Sequence, residues 1–136
     1  MKKILVILAI GMGFTSISFT VINNQDKKPW PAPDKYLKMA NPQKTATAES
    51  LKEGKELWAK QCQSCHGKSG KGDGSKAPQL KTEAGNFTLP ATQKQSDGSL
   101  FYKITEGRGD MPSFKKKIPD AEDIWSLVNY MRTFKS

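Results

Sequence analysis

Histidine and cysteine are nearly absent from this 136-residue chain: His66 is its one histidine, and Cys62 and Cys65 are its two cysteines. That scarcity excludes a good deal. A structural zinc site has no second Cys/His pair to draw on and would need a carboxylate such as Asp73 as fourth ligand. A second imidazole ligand for any metal is missing. A lone structural disulfide is possible, but it leaves His66 without a role. Other signals are missing too. No strand and βαβ pattern surrounds the cysteines, as a thioredoxin-like dithiol would want. The glycine-rich stretch after His66 lacks the G-x-x-x-x-G-K-[ST] order and preceding strand of a phosphate loop. The formal charge is +9, yet the lysines are scattered with no compact arginine-rich motif or nucleic-acid-binding module. An acidic protein partner or an anionic membrane surface suits that charge better. No internal repeat is present, and there is one long apolar run.

That run opens the chain. Met1-Lys2-Lys3 precedes an apolar segment at 4–22, a basic start and hydrophobic stretch that read as an export signal or, if retained, an N-terminal membrane anchor. Either way the remainder is expected outside the cytoplasm. Residues 23–48 read as a tether broken by Pro29, Pro31, Pro33 and Pro42, with Trp30 and Tyr36 expected to latch it to the domain surface. Residues 49–136 form the expected domain. It is short for a self-sufficient core, and a bound apolar group would supply much of what is missing.

Three helices are legible in that domain. Ser50-Leu51-Lys52-Glu53 fits a capping box, and Leu51, Gly54, Leu57, Trp58 and Cys62 recur at helical steps. Gly54 on that face predicts a close crossing by another helix. Asp97 is expected to cap a second helix with Leu100, Phe101 and Ile104 inside and Gly107 at its end. Asp120 is expected to cap the last one, with Glu122 and Asp123 in its first turn and Ile124, Leu127, Val128 and Met131 as its stripe.

The three scarce residues stand together in Cys62-Gln63-Ser64-Cys65-His66. Two cysteines three apart and a histidine directly after are the signal for covalent haem c. Each thiol adds to one vinyl group as a thioether, and the short loop carries His66 to the iron as proximal ligand. Of five methionines, Met1 and Met12 fall in the leader, Met39 in the tether and Met131 on a helix stripe. Met111 is left, held between Gly109 and Pro112 in a loop, and is the expected axial thioether.

Together these residues resemble a class I monohaem cytochrome c of bacterial type, over about Ser50 to Phe134. The family's glycine and aromatic, eight and four residues before the first haem cysteine, match Gly54 and Trp58. Its proline, whose carbonyl accepts from the proximal histidine, matches Pro78, and the apolar position after it matches Leu80. The axial methionine falls on Met111, and the leucine and aromatic of the last helix on Leu127 and Tyr130. The resemblance implies an all-α fold, three to four short helices around one covalent haem with the first and last helices crossing. It implies a place in the bacterial periplasm or on the outer face of the inner membrane.

It also implies a role. His66 and Met111 on opposite sides of iron leave no open position, which favours one-electron transfer between a redox donor and acceptor over enzymatic catalysis. The alternative is a haem protein with a labile Met111, acting as gas sensor or peroxidase-like catalyst. Phe87, Leu80, Phe101 and Phe114 are candidates for an apolar haem pocket, and Arg108 or Trp58 for a propionate contact. Lys115, Lys116 and Lys117, just beyond the methionine loop, are placed to steer an acidic partner.

Overall fold

The computed structural model describes residues 30–135, so the leader at 4–22 lies outside the described residues. Six α-helical segments follow in order: α1 (Asp34–Leu37), α2 (Ala48–Leu57), α3 (Gln63–His66), α4 (Pro90–Gln93), α5 (Asp97–Glu106) and α6 (Ala121–Arg132). Among the described residues there is no sheet, and an isolated antiparallel bridge joins Arg108 to Met111. The fold is all-α, as expected, with α2, α5 and α6 as its long members.

Two helix starts differ from the sequence reading. The capping box of α2 is Thr47/Ser50, not Ser50/Glu53. Ser50 N–H donates to Thr47 Oγ1 and Thr47 N–H donates to Ser50 Oγ, both at 3.1 Å. Thr-x-x-Ser closes the same reciprocal pair one turn earlier, which frees Glu53 to face α6, where Ser126 Oγ donates to it at 3.3 Å. Likewise α5 is capped by Ser96, whose Oγ accepts from Ser99 N–H at 3.2 Å. Asp97, the expected cap, is the first helical residue and instead receives Arg132 Nε at 2.9 Å. A carboxylate that can hold a guanidinium from another helix is worth more there than as a cap, because charge-assisted bonds are the stronger kind.

The last helix follows the expected pattern. Asp120 is its N-cap, although its side chain makes no capping bond. Ile124, Leu127, Val128 and Met131 are buried together with Trp58, Leu100, Ile104, Phe114, Ile118 and Trp125 in one core. Helices α2 and α6 cross at Gly54, where a Cβ would fall on the Ser126 carbonyl and stand 2.8 Å from Tyr130 Cβ. The close crossing expected from sequence is therefore real, and it is a backbone contact.

The crossing also brings carboxylates together. Glu53 is held above the ordinary carboxylate value, first by a hydrogen bond with Asp123, then by burial and by the Asp123 charge. The folded chain thus binds this proton more tightly than the unfolded one. Stability from the group is full at low pH and is lost as pH rises through the raised value. Glu53→Gln is accordingly expected to raise the melting temperature near neutrality, with the gain fading as pH drops from about 7 to about 4. Thermal melts across that range measure it; an equal shift at both ends would contradict the carboxyl pairing.

Residues 30–47 pack onto this core. Ala32 and Asn41 are buried, and Tyr36 stacks on Tyr102 of α5 with ring centroids 4.8 Å apart. Pro33, expected to break helices, instead starts the single turn of α1 as its N-cap, a place where proline's fixed φ does no harm.

Candidate haem-binding site

Between α2 and α3 the helix widens through a π-turn, Trp58–Cys62. One inserted residue turns everything after it by about 100° around the axis. The face that buries Trp58 therefore does not continue unchanged: Cys62, Cys65 and His66 are half-buried along the rim. Both cysteines are free thiols. Burial, and then the neighbouring Cys65, push the Cys62 thiol up to about 12. A thiol held protonated in this way is the opposite of the acidic, attacking thiolate that disulfide exchange requires. Among the described residues no three His, Cys, Asp or Glu side chains converge as a metal site, so the zinc reading lacks ligands.

The glycine-rich loop folds back to cover the end of α3. Gly72 N–H donates to the His66 carbonyl at 2.9 Å, Gly74 to Cys65 at 3.1 Å and Lys76 to Ser64 at 2.8 Å. These are the orphan carbonyls every helix C-terminus leaves behind. A Cβ at Gly74 would press on this same backbone, 2.6 Å from the Gln63 carbonyl oxygen, so the loop needs glycine there. Further on, Phe87 N–H donates to the Gly70 carbonyl at 2.7 Å and brings residues 85–87 under the imidazole.

His66 closes α3 with its ring among aromatics, 5.1 Å from Phe87 and 5.8 Å from Trp58 between centroids. Burial lowers its pKa below the ordinary imidazole value, with the Gly85 carbonyl acting in the other direction. The lowered pKa favours the neutral ring, which keeps a lone pair for a metal. The carbonyl at its Nδ1 is that of Gly85, 3.4 Å away. Pro78, the expected acceptor, lies exposed in the 3-10 turn Ala77–Gln79, with Leu80 half-buried after it. The fold-back of the glycine loop onto α3 and the Phe87–Gly70 bond decide this. Gly85 was missed in the sequence because no side chain marks a carbonyl.

Trp58, one of the two residues expected at a propionate, has its indole N–H engaged within the chain. It is 2% exposed, and its Nε1–H donates to the Gly67 carbonyl at 3.0 Å, across the start of the glycine loop. Trp58→Phe leaves that buried carbonyl without its donor and is expected to cost about 1–3 kcal/mol. A urea midpoint equal to that of the parent would contradict the bond's role. Arg108 is exposed with its guanidinium over the Trp30 ring.

Met111 is carried by the loop that follows α5. Gly107, with φ +67°, ends α5 and turns the chain into a loop closed by two backbone bonds, Arg108 N–H to the Met111 carbonyl at 2.8 Å and Met111 N–H to the Arg108 carbonyl at 3.1 Å. Met111 is half-buried, and it packs against the same core cluster as Cys62, Phe87 and Phe101. Phe114 is part of that core rather than of its rim. Two thiols and an imidazole within five residues, with Cys62 and the soft Met111 thioether packed against one apolar core, are a donor set that fits haem c.

The all-α fold is the general fold of c-type cytochromes. The chain belongs to the family described as cytochrome c oxidase, cbb3-type, subunit III, whose model matches residues 49–131. It is 35% identical to cytochrome c6 of Synechocystis over 86 residues, 62% of this chain and 68% of that protein. Among solved structures it is similar to the c-type cytochrome KustC0563, with TM-score 0.53, 30% identity, and coverage of 61% of this chain and 98% of that one. Its fold also matches a chain of the Kuenenia stuttgartiensis reducing HAO-like protein complex Kustc0457/Kustc0458. There the TM-score is 0.61 at 24% identity over 81% of this chain, which spans about half of the other, 52%. Family membership carries a general electron-transfer role and an extracytoplasmic location. Among the described residues no helix is long and apolar enough to cross a membrane.

Proposed function

We propose that this domain carries single electrons on one haem c, held covalently through Cys62 and Cys65 and axially by His66 and Met111. The observation that carries the reading is the placement of Cys62 and Met111, 49 positions apart in sequence, against one apolar cluster. When bound, the haem supplies a reversible one-electron couple, which thioether ligation raises relative to two imidazoles. The chain's own residues do the rest. His66 offers a neutral ring held by Gly85, Phe87 and Trp58 exclude water from one side, and Met111 fills the position a substrate would need. The domain is therefore a carrier and not an enzyme. Protein made with the c-type maturation machinery should show one haem c per chain by pyridine-haemochrome assay and the long-wavelength charge-transfer band of ferric thioether ligation. A loaded protein without that band, binding carbon monoxide when reduced, would point to the sensor or peroxidase-like alternative. No covalent haem at all would remove the reading.

The partners we propose are redox proteins of a respiratory-type assembly, in keeping with the family description and with the complex from which one similar fold comes. Docking falls to the exposed lysines after the methionine loop. Lys115 is partly engaged already, 2.6 Å from Glu106, and Lys117 lies over the Phe114 ring at 5.7 Å. Exposed charges act mainly by steering, within a Debye length of about 10 Å at 0.1 M salt. Replacing Lys115, Lys116 and Lys117 by glutamate should slow electron exchange with an acidic partner about tenfold or more at low ionic strength and little at high salt. Stopped-flow rates against salt concentration test this, and a mutant as fast as the parent at low salt would dismiss the patch.

A further inference from the structure

Residues 30–47 are fastened along their length. Asn41, 4% exposed, donates from Nδ2 to Asn129 Oδ1 at 2.8 Å and to Asp97 Oδ2 at 3.2 Å, and Asn129 donates to the Gln43 carbonyl at 3.1 Å. A Cβ at Gly98 of α5 would fall on the Tyr36 carbonyl, so this backbone runs directly against the helix. The upstream end of the segment reaches the methionine loop. The Arg108 guanidinium carbon stands 4.6 Å from the centre of the Trp30 ring, and Lys103 Nζ stands 5.6 Å from it. Arg108 is in turn locked to Met111 through both backbone bonds. The loop has other ties: Asp110 Oδ2 accepts from Lys81 and Thr82 N–H at 2.8 and 3.2 Å, and Ser113 Oγ donates to the Thr105 carbonyl at 2.5 Å. Arg108, Gly109 and Asp110 are exposed, so the turn lies at the surface, where amide exchange can report its opening.

We propose that Trp30 is a positioning residue for Met111: the strap at 30–47 holds its indole against the Arg108 guanidinium, and through Arg108 it keeps the methionine turn closed. A segment that precedes the domain in sequence thereby controls how often the axial thioether lets go. Two cations approach one indole ring, and Lys103 has its pKa lowered, first by burial and then by Arg108. The indole ring is what makes that crowding tolerable. The inference rests on Met111 as axial ligand, and its test separates the two.

The full-length holoprotein is compared with Trp30→Ala and Trp30→Phe. Amide exchange is read at Arg108 and Met111, with α6 amides as reference, and carbon monoxide uptake is read on the reduced proteins. Losing an exposed cation–π contact opens the turn about two- to fivefold more often. Trp30→Ala should speed exchange at both amides and raise carbon monoxide uptake by that factor, leave α6 unchanged, and be largely rescued by Trp30→Phe. Exchange at Arg108 and Met111 equal to the parent's overturns the pinning. Faster exchange with carbon monoxide uptake unchanged overturns the positioning role while leaving Met111 ligation intact. A parent without the thioether band takes down the ligand assignment, and the positioning role with it.

Discussion

Met111→Ala, loaded and reduced, is expected to bind readily carbon monoxide that the parent protein takes up only slowly. The oxidised form should lose the thioether band, and the potential should fall by on the order of 0.1–0.3 V, a fraction of the range that axial ligands span in haem proteins. The fold should survive the change. Both bonds that close the turn, Arg108 N–H to the Met111 carbonyl and Met111 N–H to the Arg108 carbonyl, belong to the backbone and remain in alanine. Met111 is also only half-buried, so little core contact is lost. Met39→Ala is the control, since Met39 is 37% exposed on the strap and should alter neither spectrum nor potential. Redox titration and carbon monoxide difference spectra check both proteins. A mutant that keeps the band and takes up carbon monoxide as slowly as the parent would show that another residue is the ligand.

Gly54→Val should be strongly destabilising. The new side chain meets the Ser126 carbonyl of α6, which is backbone and cannot rotate aside, with Tyr130 Cβ 2.8 Å from the first added carbon. Overpacking of a core typically costs about 1–3 kcal/mol, and a rigid obstacle puts this case at the top of that range or beyond. A domain of this size holds only about 5–15 kcal/mol in all. Gly54→Ala should be milder, because alanine recovers about 1 kcal/mol of helix propensity, but still net destabilising. Lys55→Ala, one residue on and exposed, should be nearly neutral. Denaturant titration of the holoproteins ranks the three. Equal midpoints for Gly54→Val and the parent would mean that α2 and α6 do not cross there.

The helices were legible because they bury a face. Ile124, Leu127, Val128 and Met131 repeat at helical steps, and all four are buried in the core. Gly54 was readable for a related reason: a glycine on an apolar face costs helix stability, so something must gain from it. The caps were less legible. Thr47 and Ser96 took the places expected of Ser50 and Asp97, because several small polar residues near each start can close the same bond. What settled them was tertiary: Glu53 and Asp97 had partners on α6. The continuous helix expected from Leu51 into the cysteines contains a π-turn, which no side-chain period announces.

The candidate site divides along the same line. Attachment of a haem through two thioethers and an imidazole demands residues a few positions apart, so Cys62, Cys65 and His66 stand out in the chain itself. Met111 could be singled out by elimination and by its glycine and proline neighbours. Contacts made by carbonyls or across long separations carried no such mark. The Gly85 oxygen at His66, the Gly67 oxygen that takes the Trp58 indole proton, and the Trp30 ring beneath Arg108 depend on how loops fold back. The sequence by itself determined an all-α domain, its buried stripes and a covalent haem motif, because periodicity and short spacing are written in local order. Only the tertiary structure decided which carbonyl faces His66, where the helices begin and which ring lies against Arg108, because those contacts arise when distant backbone segments are brought within hydrogen-bonding or ring-stacking distance.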